Sequence, residues 1–238
     1  PHLVGNYGGP WQNQRQEFEA FPGAILVTSA NIQQPKQNYL SRMFTSNEAG
    51  YPGIAHIADG NFEALLDAAG SCRGFTEDAH ERYVMSGFGR QVLLEKTEKI
   101  VTLIKHQQVR RVFVIGGGDG AKPGRNYYAN LARRLPQECI VLTFGPVKYR
   151  FHHPEFGEIA GVPRLLDCGQ ATDLYSVIRF MTAMARELNC GMNELPVTIV
   201  YSWFEQKSLA GLMAMLAMGI NKISLGPSMP LFMSPATL

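Results

Sequence analysis

The sequence predicts an α/β protein with a doubly wound parallel sheet, together with the back half of a second α/β domain. From residue 82 onward, short apolar stretches alternate with longer stretches of helical periodicity. The short stretches are almost continuously apolar, as is typical of strands buried on both faces of a parallel sheet covered by helices. Residues 81–238 are therefore predicted to form one domain, and residues 1–80 to form part of another.

The region 1–80 has few regular elements in its sequence. Residues 24–28 are predicted as a buried strand, 31–60 as a turn-rich connection, 62–69 as a helix and 70–81 as a linker. Because these are too few for a complete α/β domain, the start of this domain is expected to lie upstream of Pro1. We therefore expect another polypeptide or an upstream domain to dock on residues 1–70.

In the region 81–238, strands and helices alternate with short connections. Strands are predicted at 83–85, 111–115, 139–143, 197–201 and 222–225, with helices at 91–106, 126–135, 172–188 and 205–218 and a long loop at 147–170. Ligands of an open parallel sheet bind beyond the carboxyl ends of its strands. Because one strand-end segment, residues 29–31, comes from the first domain, a cleft between the domains is the expected site.

Composition excludes several classes of partner. Lys and Arg number 22 against 20 Asp and Glu, and a net charge of +2 argues against a nucleic-acid-binding protein. No apolar stretch approaches the roughly 20 residues that span a bilayer, and no signal peptide is visible. The 4 cysteines form no C-x-x-C motif and are predicted to be buried thiols. We therefore predict a cytoplasmic protein without a nucleic-acid or membrane partner.

The glycine run 116–120 follows a predicted strand and precedes a predicted helix. Such a run can cradle a phosphate group at the helix N-terminus. It is not a G-x-G-x-x-G motif, because position 121 is alanine, and it lacks the Lys–Ser/Thr pair of a P-loop. A tight turn is therefore favoured, and a nucleotide-binding enzyme that uses Gly116–Gly120 remains an alternative.

Glu205 and Lys207 are predicted at the junction between a strand and the helix that follows it. We expect both to face the cleft, with Trp203 and Phe204 shielding them from water and Glu205 bonded to Lys207 or to backbone N–H groups of the helix. The alternative is a first-turn carboxylate on the helix dipole beside a solvated lysine. These two residues are the predicted catalytic candidates.

Several strings together resemble the hybrid-cluster proteins, also called hydroxylamine reductases. The strings are P-H-L-V-G-N-Y at 1–7, G-G-G-D-G-A-K-P-G-R-N-Y-Y at 116–128, K-Y-R-F at 148–151, P-R-L-L-D-C-G-Q at 163–170 and S-W-F-E-Q-K at 202–207. The resemblance covers nearly the whole chain. It implies Rossmann-like domains related to carbon monoxide dehydrogenase and an oxidoreductase acting on hydroxylamine or nitric oxide. It also implies an N-terminal helical domain, with its own iron–sulfur cluster, upstream of Pro1.

The chain departs from this family at the implied cofactor ligands. The family's hybrid iron–sulfur–oxygen cluster is held by four cysteines together with glutamate and histidine. In the family these cysteines lie in the motifs T-S-N-C, G-G-C-D-G, G-C-x-K-Y-R and G-Q-C-N-D. At the four cysteine positions, taken in that order, this chain has Asn31, Gly118, Pro146 and Ala171. Of the implied ligands that fall within this chain, Glu205 alone keeps its residue type; the family's histidine and other glutamate would lie upstream of Pro1. Because thiolates hold iron–sulfur clusters, the sequence predicts no cofactor and no metal site in this chain.

Three functional hypotheses follow. The leading one is a hydroxylamine-reductase-like chain that has lost the four cluster cysteines and serves as a scaffold or partner subunit in an oligomer, or binds a different small ligand in the emptied cleft. The second is an active oxidoreductase, reducing hydroxylamine or nitric oxide, whose ligands are supplied elsewhere. The third is the nucleotide-binding enzyme. Whether the chain is an enzyme stays open at this point.

Overall fold

The computed structural model describes residues 7, 13–28, 32–78, 85–118, 126–151, 156–203 and 206–226. The chain divides into two compact units, Pro1–Arg82 and Tyr83–Leu238. Each unit contains a parallel sheet, so the predicted α/β class is confirmed. Within the described ranges, no helix combines the length and the apolar character needed to cross a bilayer.

The first unit has a three-stranded parallel sheet of order β1-β2-β3. Its elements are α1 (Gln14–Ala20), β1 (Ile25–Val27), α2 (Gln37–Leu40), β2 (Met43–Ser46), β3 (Ala55–Ile57) and α3 (Glu63–Ser71). Phe18, Ile25, Val27, Tyr39 and Met43 form the centre of its core. The small core thus lies between the sheet and the first two helices.

The turn-rich connection predicted at 31–60 is wrong in part, because it contains β2 and β3. All four residues of β2 are buried, so the strand shows no alternation of apolar and polar residues. A short strand that is buried on both faces has no alternation of apolar and polar residues in its sequence, so it cannot be distinguished from a loop by its pattern. β1 pairs with β2 on one side and is an edge strand of this three-stranded sheet.

The second unit contains a five-stranded sheet of order β10-β9-β4-β5-β8, in which every neighbouring pair is parallel. Its strands are β4 (Arg111–Gly118), β5 (Cys139–Phe144), the antiparallel hairpin β6 (Glu158–Ile159) and β7 (Val162–Pro163), then β8 (Leu165–Asp167), β9 (Val197–Trp203) and β10 (Ile223–Leu225). The chain runs outward from β4 to β8 and returns to β9 on the other side. The strand order therefore reverses between β4 and β9.

Helices cover both faces of this sheet. They are α4 (Arg90–Lys105), α5 (Tyr127–Arg134), α6 (Leu174–Leu188) and α7 (Gln206–Ala217). Ile140 and Leu142 of β5 share a core cluster with residues of α4, α6 and α7. Val141, on the other face, packs in a cluster with Tyr128 and Ala132 of α5. The doubly wound arrangement predicted from the sequence is thus confirmed.

Two predictions for this unit need correction. The long loop predicted at 147–170 contains a 3-10 helix (Pro146–Arg150), the β6–β7 hairpin and β8, which pairs with β5 as an edge strand of the sheet. β8 has only three residues, which is too short for a periodic signal. Of the strand predicted at 83–85, residues 83 and 84 lie outside the described residues, and Met85 belongs to no strand.

Candidate functional site

The carboxyl ends of the five parallel strands meet at one edge of the sheet, and the reversal between β4 and β9 lies at its centre. We call this region the strand-end site and define it as residues 116–118, 143–148, 167–171, 201–203 and 206–207. β4 and β9 stay paired to their last residues, with Gly117 opposite Ser202 and Gly118 opposite Trp203. The topology therefore brings the glycines, Trp203 and the start of α7 to the edge where ligands of such sheets bind.

Backbone segments approach one another closely at this edge. Gly117 has a φ of 90°, and a Cβ there would overlap the carbonyl oxygen of Ser202. On the other face, a Cβ at Gly116 would overlap the ring of Phe144, whose centroid lies 6.0 Å from that of Tyr201. Glycine is thus required for backbone and ring packing at these two positions. The tight turn favoured for the glycine run is not found over residues 116–118, which belong to β4, although backbones do approach closely there.

The glycine run does not form a free loop over its described part. Residues 116–118 belong to β4, where Gly116 is paired with Phe144 and Tyr201 on its two sides. Backbone groups in a parallel ladder are already engaged with neighbouring strands. The remainder of the run, residues 119 and 120, lies outside the described residues.

A buried ion pair ties the strand-end loops together. Lys148 Nζ lies 3.2 Å from Asp167 Oδ1, and the two side chains are 10% and 4% exposed. The same Oδ1 atom accepts a hydrogen bond from the N–H of Gly169 at 3.0 Å. The N–H of Gly145 donates to the carbonyl oxygen of Gly169, also at 3.0 Å. The loop after β5 is therefore fixed to the loop after β8.

The sequence-predicted site residues fall partly within this geometry. Gly118 ends β4, Pro146 begins the 3-10 helix after β5, and Ala171 begins a second 3-10 helix (Ala171–Asp173) after β8. They thus follow three neighbouring strands at the same edge. Asn31 and Glu205 lie outside the described residues. Lys207 is the second residue of α7 and is exposed, so the shielding predicted for it is not observed.

The side chains at these positions do not fit an iron–sulfur cluster. Gly118, Pro146 and Ala171 offer a hydrogen atom, an aliphatic ring and a methyl group, none of which donates electrons to a metal. In the part of the chain that the structure describes, no group of three or more His, Cys, Asp or Glu side chains could hold a metal ion. These three side chains therefore supply no thiolate ligand.

Cys168 is the cysteine nearest to these positions in the sequence, three residues before Ala171. It is 2% exposed and belongs to the apolar core cluster that contains Phe144 and Tyr201. Burial raises the pKa of its thiol well above the ordinary value, and the nearby carboxylates of Asp167 and Asp173 raise it further. Cys168 is therefore a protonated core thiol at neutral pH, unlike the thiolate that binds metals.

Thiol reactivity tests this placement. We expect two thiols, Cys72 and Cys190, to react rapidly with an aromatic disulfide reagent at pH 8, because both are half-buried, whereas Cys139 and Cys168 are buried. The buried pair should react only after unfolding in guanidinium chloride. Cys72→Ser and Cys190→Ser should each remove one rapid thiol. Rapid labelling of Cys168 in the folded chain would contradict the assignment.

Comparisons with known proteins agree over the whole chain. The model of the Prismane/CO dehydrogenase family matches residues 1–238. A protein named hydroxylamine reductase from Burkholderia lata is 48% identical over 238 residues, which are 100% of this chain and 43% of that relative. A protein of the same name from Moorella thermoacetica is 46% identical over 238 residues, 56% of its length. The chain thus spans about half of the length of these curated relatives.

Solved structures give the same fold. A nickel-free carbon monoxide dehydrogenase from Thermococcus sp. AM4 aligns with a TM-score of 0.68 and 16% identity, over 96% of this chain and 43% of that one. Carbon monoxide dehydrogenase IV from Carboxydothermus hydrogenoformans aligns with a TM-score of 0.67 and 15% identity, over 90% of this chain and 42% of that one. At such identities the similarity concerns the fold.

Proposed function

This chain belongs to the Prismane/CO dehydrogenase family, and on that premise we propose that it is a member without a redox cluster that serves as a scaffold or partner subunit. The relatives it matches are named hydroxylamine reductase. The proposal assigns no such activity to this chain by itself.

One observation carries the proposal: the residues at the strand ends. The family resemblance implies cysteines where this chain has Asn31, Gly118, Pro146 and Ala171. The three described positions follow β4, β5 and β8, at one edge of the sheet. Thiolate ligands are what hold iron–sulfur clusters, and these side chains do not replace them. Glu205 is the implied ligand that is still the same residue as in the family, but the four cysteines that would bind the cluster together with it are replaced.

The way the strand-end loops are held supports a scaffold role. Lys148 and Asp167 form a buried ion pair, and the backbones of Gly145 and Gly169 are hydrogen-bonded. Contacts among protein groups thus fix the two loops that carry Pro146 and Ala171. The edge of the sheet can therefore keep its form without metal ligands as crosslinks.

We place this subunit in the cytoplasm, and we propose that another polypeptide or an upstream domain docks on residues 1–70. All four cysteines are free thiols, which is the usual state in a reducing compartment. In the first unit, no residue of α3 is buried, so this helix has surface available for a partner.

Metal analysis tests the proposal. The 238-residue chain, purified anaerobically and incubated with iron and sulfide, is expected to hold iron and sulfide only at background and to show no visible charge-transfer absorption. The reason is the lack of thiolates at the strand ends. A matched variant with Asn31→Cys, Gly118→Cys, Pro146→Cys and Ala171→Cys receives the same treatment. We expect this variant alone to gain iron and absorption.

Near-stoichiometric iron and sulfide in the unaltered chain would overturn the proposal. That outcome would favour the second hypothesis, an oxidoreductase that reduces hydroxylamine or nitric oxide with ligands supplied elsewhere. Electron paramagnetic resonance of the reduced sample would then show whether the iron is a cluster or a loosely bound ion.

A further inference from the structure

The amino edge of the five-stranded sheet, opposite the strand-end site, carries a group of exposed bases. Because all neighbouring strands of this sheet are parallel, their first residues share one edge. Each of the helices α4, α5, α6 and α7 leads into the start of the next paired strand, so these helices end at the same edge. Six exposed bases lie there, and we call them the amino-edge patch: Lys105, Arg110, Arg111, Arg133, Arg134 and Lys222.

Strand pairing brings two of these bases to the start of β9. Arg111 begins β4, and its Nη1 donates a hydrogen bond to Oγ1 of Thr198 at 3.1 Å. On the other side of β9, Ile223 of β10 pairs with Ile199, which places Lys222 beside Thr198. Arg111 and Lys222 therefore flank the start of β9 from its two neighbouring strands.

The other bases lie in the connections and last turns next to these strands. The last turn of α5 carries two of them, and residues 135–138 lead directly into β5. The N–H of Arg110 donates to the carbonyl oxygen of Glu138 at 2.8 Å, which holds this connection against the start of β4. Lys105 is the last residue of α4, five positions before Arg110. The patch thus follows β10, β9, β4 and β5, a width of roughly 14 Å at about 4.8 Å between neighbouring strands.

The charges of the patch are not neutralised within the described chain. None of the six bases forms an ion pair among the described residues. In the four connections that lead into these strands, the acids are Glu138 and Glu194, and Glu194 accepts a hydrogen bond from a backbone N–H. Bases in a last turn stabilise the helix dipole, but Arg110, Arg111 and Lys222 begin or precede strands, whose dipoles are small. An anionic partner would relieve the repulsion among these like charges.

Two observations favour an acidic polypeptide over a nucleic acid as this partner. The whole chain has 22 bases and 20 acids, so the sequence outside the patch is net negative and would repel a nucleic acid that extends beyond it. In the described part of the second unit, the exposed Phe, Tyr and Trp side chains are Tyr127 and Tyr175, in the first turns of α5 and α6 at the opposite edge. The patch therefore lacks an aromatic platform on which bases of a single strand could stack.

We propose that the amino-edge patch binds an acidic segment of a partner protein, through ion pairs with its Asp and Glu carboxylates. Four of the six bases are arginines, whose planar guanidinium pairs with a carboxylate through two parallel hydrogen bonds. Exposed ion pairs are weak one by one and are screened by salt, so the binding is weak and falls as salt is added. The inference goes beyond the proposed function, whose partner docks on residues 1–70, and does not depend on it.

Binding of a glutamate peptide tests the inference. The probe is a fluorescently labelled chain of about 20 glutamates, titrated at low salt with the 238-residue protein and followed by anisotropy. The patch variant carries Arg110→Gln, Arg133→Gln and Arg134→Gln. The matched control removes three exposed bases outside the patch, through Arg15→Gln, Arg73→Gln and Lys99→Gln. Both variants lose the same net charge. We expect about tenfold weaker binding for the patch variant and a change within about twofold for the control.

A second variant and a second probe sharpen the result. Arg110→Lys, Arg133→Lys and Arg134→Lys together keep the charges and should bind within a few-fold of the unaltered chain. Circular dichroism checks each fold, and the three single glutamine variants replace the triple variant if it does not fold. An oligothymidylate of the same length should bind more weakly than the glutamate peptide.

Three outcomes would overturn the inference. The first is an unaltered chain that does not bind the glutamate peptide at low salt. The second is an equal loss of binding in the patch variant and the control, which would show that overall charge alone matters. The third is tighter binding of the oligothymidylate, which would indicate a nucleic-acid surface. None of these outcomes bears on iron content, so failure here is distinguishable from failure of the proposed function.

Discussion

Replacing Arg164 by methionine is expected to destabilise the second unit by about 3–5 kcal/mol. The side chain is 6% exposed and its guanidinium donates four hydrogen bonds. Nε donates to the carbonyl oxygen of Cys139 at 3.1 Å, and Nη2 donates to that of Pro136 at 2.8 Å. Nη1 donates to Oε1 of Gln137 and to the carbonyl oxygen of Phe156, both at 2.8 Å. Methionine fills similar space but donates no hydrogen bond to these acceptors; of them, the carbonyl oxygen of Pro136 keeps a bond from the N–H of Cys139.

Arg164→Lys separates the geometry of this contact from its charge. An ammonium has three donors on one atom, whereas the guanidinium directs donors from three nitrogens to four separate acceptors. We therefore expect the lysine variant to lose a large part of the same stability. Arg134→Lys, at an exposed position of α5, is the control and should stay within about 0.5 kcal/mol. Equal stabilities for Arg164→Lys and the parent would show that charge alone matters at this position.

Urea unfolding measures these effects if the signal reports on the second unit. The chain has 2 tryptophans, Trp11 and Trp203. In a Trp11→Phe background, the fluorescence comes from Trp203 at the end of β9. The midpoint should then shift while the denaturant slope stays constant, as expected for a change in stability alone.

The sequence predicted the long strands of the second unit because their apolar stretches are bounded by clear turns and separated by periodic helices. β4, β5 and β9 lie where the pattern places them. β2, β3 and β8 have four, three and three residues. At that length no periodicity distinguishes a strand from a loop, and pairing with a longer neighbour decides the conformation. Such strands depend on tertiary contacts that a local pattern does not contain.

The same limit applies to the strand-end site. The edge of the sheet was predictable, because the carboxyl ends of parallel strands meet there. The ion pair between Lys148 and Asp167 was not predictable. The two residues are 19 positions apart in the sequence, and they meet only because β5 pairs with β8. A signal was present in the sequence: Asp167 is an acid within the apolar string L-L-D-C, and Lys148 follows β5 closely. A buried acid in a strand needs a cationic partner nearby.

Asp167→Asn is expected to lower the free energy of unfolding by about 3–5 kcal/mol, because it leaves the buried Lys148 ammonium without a carboxylate. In the described part of the chain, Asp167 is the one carboxylate that forms an ion pair with Lys148. Asparagine keeps an oxygen that can accept the hydrogen bond from Gly169 while removing the negative charge.

A double-mutant cycle with Lys148→Met isolates the pair. If the two side chains interact as a buried ion pair, the double variant should be less destabilised than the sum of the single variants, by about 2–3 kcal/mol. This coupling should persist in 1 M salt, because side chains that are 10% and 4% exposed are little screened. Additivity within about 0.5 kcal/mol would show that the pair contributes no specific coupling. Contacts other than this pair would then have to hold together the loops that carry Pro146 and Ala171.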